Sequence, residues 1–577
     1  MTNRDVAGVL LEIADILEIR GENPFKVRAY QRAAQAIAGL PTQLVDMRGK
    51  QPFTDIPGVG SSIAEKIEEL LATGFCTFHR QLLQEFPASL TTLLNIPEVG
   101  PRKAQVLHDQ LGITSVDELE QAAREGKLRD LKGFGEKTEA NILRGIERLK
   151  VHKARLPLAE AHPLAMEVVE SLAIAAPVDR LEPAGSIRRM RDTIGDIDIL
   201  VTSSEPQAVM DAFVNLPVVD HVLECGTTKT SIVSHRGAQV DVRVVEPESF
   251  GAALQYFTGS KEHNVRLREL AVRRGLRISE YGVFEVKTDR RIAGATEEEV
   301  YAALDLPWIP PELREDRGEI AAAQRGELPR LVTVEDIKGD LHVHTRRTDG
   351  HHSVEEMAET ARGHGYEYLA ICDHSRSVGM AGGLFDEELL EHAVNIRAIS
   401  RRLKGITLLA GVECDIRRDG KLDYPDEILA QLDFIIASVH SGFKMDAESM
   451  TSRIIDGLRN PFVDALAHPT GRIIGKRDPY EVDIERLLAA AAELGVAMEI
   501  NAYPDRLDLR DTHARRAKEM GVKIVINTDA HDCDHLRLIS YGVATARRGW
   551  LAPEEVLNTL PLAQLRKHLR RNMQRAA

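Results

Sequence analysis

Three aspartates and a glycine-serine pair carry the first chemistry the sequence suggests. Asp196 and Asp198 stand two apart in the run Gly195-Asp196-Ile197-Asp198-Ile199-Leu200-Val201, which reads as a strand with both carboxylates on one face. Asp241 sits in a second short apolar run, Val240 to Val245. Adjacent strands would bring the three carboxylates to one point. Such charges repel unless a cation lies between them, and their oxygens suit Mg²⁺ or Mn²⁺. Just upstream, Gly185 lets a phosphate approach the backbone and the Ser186 hydroxyl can bind it. This set fits two-metal nucleotidyl transfer. The plainer alternative is an acidic strand end holding a structural cation.

A second set lies downstream. Of the 20 histidines, 13 fall after residue 337. His342 and His344 open the set, with Asp349 just beyond; His374, Glu413, His440, His468, Asp529 and His531 follow. Most of these sit at the end of an apolar strand-like run, such as Tyr368–Ile371, Phe434–Ala437 or Ile524–Ile526, with helical segments between the runs. Repeating β-then-α units with polar residues at the strand ends describe a barrel with its site at one face. A His-x-His pair on a strand turns both imidazoles to one side and begins a metal site. Nine His, Asp and Glu in this arrangement point to bound metals. His351, His352, His364, His392, His513, His535 and His568 lack the strand-end context and are expected on the surface.

The elements ahead of these sites are helical. Val9, Leu10, Ile13, Ile16 and Leu17 recur at helix spacing, Gly21 to Pro24 breaks the run, and a second helix is expected from Pro24 to Ala38. Pro57-Gly58-Val59-Gly60 then forms a tight turn opening into a helix, where bared amides make a phosphate site that reads no base. The device recurs at Pro97-Glu98-Val99-Gly100 and at Lys132-Gly133-Phe134-Gly135. Three copies in the first 150 residues favour sequence-independent DNA binding. The second has Glu98 where the first glycine would sit, so a packing hairpin remains its alternative.

At 577 residues the chain exceeds one hydrophobic core, and several domains are expected. No apolar run is long enough to cross a bilayer, and the N-terminus lacks a signal-peptide core, so a cytoplasmic protein is expected. Five scattered cysteines fit reduced thiols. A net charge of −15 argues against non-specific coating of DNA, but leaves room for a local grip through backbone amides and small basic patches.

Gly185-Ser186-Ile187-Arg188-Arg189 with Gly195-Asp196-Ile197-Asp198, Asp241 and Tyr256-Phe257-Thr258-Gly259-Ser260 resembles the palm of family X DNA polymerases, the DNA polymerase beta group. The resemblance implies that Asp196, Asp198 and Asp241 hold two metals, and that Ser186 and Arg189 contact the triphosphate. Tyr256, Phe257 and Gly259 would shape the nucleotide pocket, Asn264 would reach the minor-groove edge of the base, and Arg268 would approach the template. The N-terminal stretch is similar to the family's small domain, which grips a 5′ phosphate at gaps. Lys26 matches a phosphate-binding position there, and Gly58, Gly60, Gly100, Gly133 and Gly135 would meet the DNA backbone. Lys66 matches the lysine that acts as a Schiff-base lyase in some relatives. A solvated helix lysine is its alternative reading, and Ser62 stands where relatives often have another lysine.

The histidine-rich part resembles the polymerase-and-histidinol-phosphatase (PHP) domain, a (β/α)₇ barrel holding up to three metals, usually Zn²⁺ or Mn²⁺. All nine positions of that ligand pattern are filled here. Together the halves resemble bacterial family X polymerases with an appended PHP domain. The expected fold is multidomain α+β and α/β. Residues 1–80 would form a helical small domain and 81–152 a fingers-like helix-hairpin-helix region. A palm at 153–247, a thumb at 248–314, a linker at 315–337 and the barrel at 338–577 would follow. The implied activity fills short DNA gaps in repair from deoxynucleoside triphosphates and removes 3′ nucleotides, acting as a monomer with no membrane partner. The rivals are a polymerase whose barrel is a metal-stabilised scaffold or small-molecule phosphatase, a DNA-end binding module with residual catalysis, and a nucleotidyltransferase acting on something other than DNA.

Overall fold

A computed structural model describes residues 3–570 apart from 39–43, 50, 57, 87, 97, 130, 132 and 154; Pro57, Pro97 and Lys132 of the three expected turns lie outside the described residues. The chain divides into two compact units, Met1–Ala154 and Arg155–Ala577.

The first unit is helical. Helices Asn3–Ile19, Pro24–Ala38, Ser61–Thr73 and Thr77–Glu85 bury one face each, and Leu10, Ile13, Leu17, Ile37, Ile63 and Ile67 meet in a common core. Helices Pro101–Leu111, Val116–Arg124 and Glu136–Lys153 share a second core around Leu107, Leu119, Ile142 and Ile146. The three turns are built alike. Val59, Val99 and Phe134 each donate N–H to the carbonyl three residues back, at 3.0 Å in every case. Gly58 and Gly133 take φ values of +85° and +92°, open to glycine, and Glu98 adopts +71° at the same place in the second turn. The middle turn therefore forms without its glycine, held in the same loop as the other two.

The second unit starts with a mixed sheet. Two short strands, β1 (Leu156–Pro157) and β3 (Thr193–Ile194), pair beside it. The sheet proper runs β2-β4-β7-β6-β5, with β2 at Arg180–Pro183, β4 at Ile197–Thr202, β5 at Val219–Cys225, β6 at Lys229–Ser234 and β7 at Gln239–Val244. Its apolar face packs on helices Leu158–Ala175 and Pro206–Val214 through Leu164, Val168, Ile199, Val201 and Phe213. Helices Phe250–Thr258 and Lys261–Arg273 lead to a small antiparallel sheet of β8 (Leu276–Ser279), β9 (Gly282–Glu285) and β10 (Arg291–Ala293).

Residues 315–337, expected as a linker, are packed: Glu319 and Val332 are buried, and Glu319 Oε1 lies 2.6 Å from His263 Nδ1. Seven parallel strands follow in chain order: β11 (Gly339–Val343), β12 (Tyr368–Ile371), β13 (Thr407–Asp415), β14 (Phe434–Ser438), β15 (Ala465–Leu466), β16 (Ala497–Asn501) and β17 (Ile524–Asn527). A parallel bridge between Val343 and Ala530 joins the first strand to the end of the last. Alternate residues feed two cores: Tyr368, Ala370, Phe434 and Ile436 meet inside, while Leu369, Ile371, Ile435 and Ala437 pack under the helices. Both faces are buried, which is why these strands read as unbroken apolar runs.

The barrel shares a seam with the palm and with the segment that follows it. Arg472 meets Asp192 at 3.2 Å, Arg547 meets Glu312 at 2.6 Å, and Leu507, Ile474 and Tyr541 of the barrel pack against the palm core.

Candidate functional site

The parallel register of β4 on β7 sets Asp198 directly beside Asp241, and Asp196 stands one residue ahead of β4 rather than within it. Gln239 Nε2 donates to Asp241 Oδ1 at 3.0 Å. Burial first, then the charges of Asp196 and Asp241, push the Asp198 carboxyl up to about 7. Three carboxylates this crowded call for a cation. A cleft of about 680 Å³ opens at Asp196 and Asp198, lined as well by Gly185, Ser186, Arg189, Tyr256, Phe257, Gly259, Asn264 and Arg268. Sequence reasoning gathered all ten.

Their roles in the fold add detail. Tyr256 and Phe257 meet edge to face at 5.2 Å, and the Arg243 guanidinium lies 4.7 Å from the Phe257 ring centre. Asn264 is held by its neighbours: Oδ1 accepts from Gln255 Nε2 at 2.7 Å and Nδ2 donates to the Tyr256 carbonyl at 2.7 Å. Arg268 Nε donates to the Asn264 carbonyl at 3.3 Å. Arg155, Arg191 and Glu315 also line the cleft and were not foreseen. Glu315 belongs to a stretch that reads as polar spacer, and only its neighbours in space reveal it.

In the barrel, all nine expected ligands converge at the carboxyl ends of the strands. Potential ligand atoms of His344, Asp349, His374 and His531 lie within 4.8 Å of one another, as do those of His342, His344 and Asp529, and those of His374, Glu413 and His440. His468 Nε2 completes the ring at 2.9 Å from Glu413 Oε1. His342 Nε2, both ring nitrogens of His344, His374 Nδ1 and Glu413 Oε2 are buried with no well-oriented hydrogen bond, His374 Nδ1 and Glu413 Oε2 facing each other at 2.7 Å. Buried polar atoms are nearly always satisfied, so five without such a bond, aimed into one cluster of imidazoles and carboxylates, fit a set of metal ions. Burial, His531 and His374 hold His344 down at about 4, which keeps a neutral imidazole as a donor.

A supporting layer fixes these ligands. His342 Nδ1 lies 2.8 Å from Glu499 Oε1, leaving Nε2 for the centre, and His531 Nδ1 lies 2.8 Å from the Asp529 carbonyl. Glu499 was missed; its signal is a carboxylate within the apolar strand Ala497–Asn501, where it is fully buried. His392 is a correction. It was expected on the surface, but it is buried and its Nε2 meets Asp373 Oδ2 at 2.8 Å, because its helix presses that face onto the loop after β12. His513, His352 and His535 are partly buried; His351, His364 and His568 are exposed.

In the first unit, Lys26 and Lys66 come together over the Phe78 ring, their Nζ atoms 5.6 and 5.0 Å from its centre. Lys66 Nζ donates to the Ser62 carbonyl and hydroxyl, both at 3.0 Å, while Lys26 pairs with Glu22 at 3.5 Å. Gly60 and Gly100 are the caps from which helices Ser61–Thr73 and Pro101–Leu111 start, and Gly135 immediately precedes helix Glu136–Lys153.

Comparisons with known proteins agree in order along the chain. A helix-hairpin-helix domain family matches residues 1–76, a SAM-like helix-hairpin-helix tandem 90–148, the DNA polymerase beta thumb 253–315 and the PHP domain 340–503. The chain is 38% identical over 574 residues to the DNA polymerase/3′-5′ exonuclease PolX of Bacillus subtilis, covering 99% of this chain and 100% of that one. It is 33% identical over 232 residues to a probable phosphatase of Caldanaerobacter subterraneus, across 38% of this chain and 86% of that protein. A probable phosphatase of Acetivibrio thermocellus is 35% identical over 226 residues.

Proposed function

The chain belongs to the family of the DNA polymerase/3′-5′ exonuclease PolX, and on that premise we propose how its two sites divide the work. It is a DNA-directed DNA polymerase that carries a PHP domain with 3′-5′ exonuclease activity, and both sites depend on metal ions. The observation that carries the polymerase assignment is the register that sets Asp241 beside Asp198, which lines the cleft with Asp196.

Asp196, Asp198 and Asp241 would hold two Mg²⁺ or Mn²⁺ ions, and the nine barrel residues would hold up to three Zn²⁺ or Mn²⁺ ions. Bound there, such ions supply Lewis-acid stabilisation of phosphoryl charge and make a hydroxyl or a water a better nucleophile. The chain's own groups do the rest. Ser186 and Arg189 bind the triphosphate of an incoming deoxynucleotide, and Tyr256, Phe257 and Gly259 shape the sugar and base pocket. Asn264 and Arg268 turn to the base pair and the template once a substrate replaces their present partners. In the barrel, Glu499 orients His342, and the burial of the histidines excludes bulk water from a 3′-terminal phosphodiester. Gly58, Gly60, Gly100, Gly133 and Gly135 present backbone amides to DNA phosphates without reading sequence. Lys26 binds the 5′ phosphate at a gap, and Lys66, beside it over Phe78, carries the lyase role. Gapped or nicked DNA in the cytoplasm is the substrate, and the protein works as a monomer.

The test is a one-nucleotide gapped duplex with a labelled primer and Mn²⁺, assayed with wild type, Asp198→Ala and His344→Ala in parallel. Asp198→Ala is expected to lose extension alone and His344→Ala to lose 3′ shortening alone. Shortening that persists in His344→Ala would leave the barrel as a scaffold or a small-molecule phosphatase.

A further inference from the structure

The acid that faces the triphosphate end of the polymerase cleft is held by the barrel. Glu315 lines the cleft with Arg189 and Arg191, and its side chain is 9% exposed. It accepts from Arg189 Nε at 3.0 Å, from Arg191 Nη1 at 3.3 Å and from Arg548 Nη1 at 2.9 Å. Arg548 ends the barrel helix Ile539–Arg548 and is 5% exposed. The same Nη1 donates to the Arg189 backbone carbonyl at 2.7 Å, and Nη2 donates to Asp511 Oδ2 at 2.7 Å. Arg317 Nη1 donates to the same Asp511 oxygen at 2.9 Å. Arg189 itself is fixed at two points, Nε on Glu315 and Nη1 on the Thr258 carbonyl, and its Nη2 has no partner among the described residues.

Resting on the assignment of the cleft as the nucleotide site, we propose that Arg548 is a positioning residue of the polymerase. It holds both Glu315 and the backbone of Arg189, so a side chain of the barrel sets how tightly the palm takes a nucleoside triphosphate. The physics has two parts. A guanidinium is planar and always charged, so a clamp on both the Nε side and the main chain leaves one orientation for the donors that remain. A carboxylate in the cleft would repel a triphosphate, and Arg548 neutralises it from behind without entering the cleft. Removing Arg548 loosens Arg189 and uncovers the charge of Glu315. Both changes weaken ground-state binding of the triphosphate more than they alter the metal-holding aspartates.

Single-nucleotide gap filling by the full chain, with the nucleotide concentration varied, tests this. For Arg548→Leu the KM for the nucleotide should rise about tenfold with kcat within about threefold, a change in binding worth about 1.4 kcal/mol. The 3′ shortening activity should match wild type and so reports an intact barrel. Arg548→Lys keeps the charge and should recover most of the loss. Adding Glu315→Gln to Arg548→Leu should also lower the KM again, because the repelling charge is gone. An unchanged KM in Arg548→Leu, or a fall in kcat with no change in KM, overturns the proposal. Should Arg548→Leu not fold, a KM for Arg548→Gln identical to wild type overturns it instead, since the neutral amide keeps a polar side chain but removes the charge that answers Glu315. Loss of extension in wild type, or its survival in Asp198→Ala, would refute the assignment of the cleft rather than the role of Arg548.

Discussion

The carboxylate of Asp198 occupies the space where a side chain on Gly185 would begin. A Cβ at residue 185 would lie 2.7 Å from Asp198 Oδ2, and the residue has φ +66°. The glycine ahead of Ser186 thus makes room for the Asp198 carboxylate. Gly185→Ala must displace Asp198 or the backbone, and both lie in the cleft. Extension should fall at least about a hundredfold, as misplacement by about 1 Å does in other sites, while 3′ shortening stays at the wild-type rate. Steady-state gap filling checks the first and a single-stranded 3′-labelled oligonucleotide the second.

Glu297 joins two arginines, Arg188 and Arg314. It receives Arg188 Nη1 at 2.8 Å and Arg314 Nη1 at 2.6 Å, and Arg314 has no exposed surface. Glu297→Gln should destabilise the second unit by about 3–5 kcal/mol, because a buried guanidinium loses its counter-charge. Burial alone would raise the Glu297 carboxyl, but Arg314 and Arg188 overturn that and hold it at about 2. A carboxyl depressed in the folded state adds stability above its unfolded value near about 4.3, and that part is lost as pH falls toward about 2. Urea unfolding of wild type and Glu297→Gln at several pH values should show the difference between them shrinking below about pH 4.

Glu98 takes a left-handed backbone at the place where the other two turns have glycine. Glu98→Gly should therefore stabilise the first unit by about 1 kcal/mol, the strain of a non-glycine residue in that region less the flexibility glycine adds to the unfolded chain. Thermal unfolding of the full chain, followed at its lowest-temperature transition, measures it. The variant should bind gapped DNA as tightly as wild type or more so.

Glu499 touches no substrate in this scheme; it fixes the ring of His342. Glu499→Gln should lower metal content at the barrel and reduce 3′ shortening about 10- to 100-fold, with gap filling unchanged. Metal analysis after gel filtration, paired with both activity assays, separates that outcome from general unfolding.

Chelation should act on the barrel as well as on catalysis. His342, His344, His374 and Glu413 have buried atoms with no well-oriented hydrogen bond, which metal ions would satisfy. Treatment with a strong chelator should lower the melting temperature of the barrel transition, and Zn²⁺ or Mn²⁺ should restore it. His344→Ala should shrink the shift.

The barrel was legible because its signal is local. Each strand is a short apolar run, most of the expected ligands sit at or just beyond a strand end, and the parallel order follows the chain, so His342, Glu413 and His531 group from the sequence alone. The same holds for Asp196, Asp198 and Gly185, which are neighbours in sequence. Asp241 needed more, a guess that its strand lies next to β4, and the register supplies it. His392 was misread for the opposite reason: nothing around it in sequence shows that its helix face meets Asp373.

What the sequence determined by itself is which carboxylates, imidazoles and glycines gather at common faces and strand ends, because periodicity and short spacing place them there. The tertiary structure alone decided which charges answer one another. Glu315 and Arg548 are 233 residues apart, and Arg472 and Asp192 are 280 apart. No local pattern encodes such pairs; they exist because the barrel packs on the palm and on the segment that follows it, and burial at that seam leaves each charge dependent on a partner from the other side.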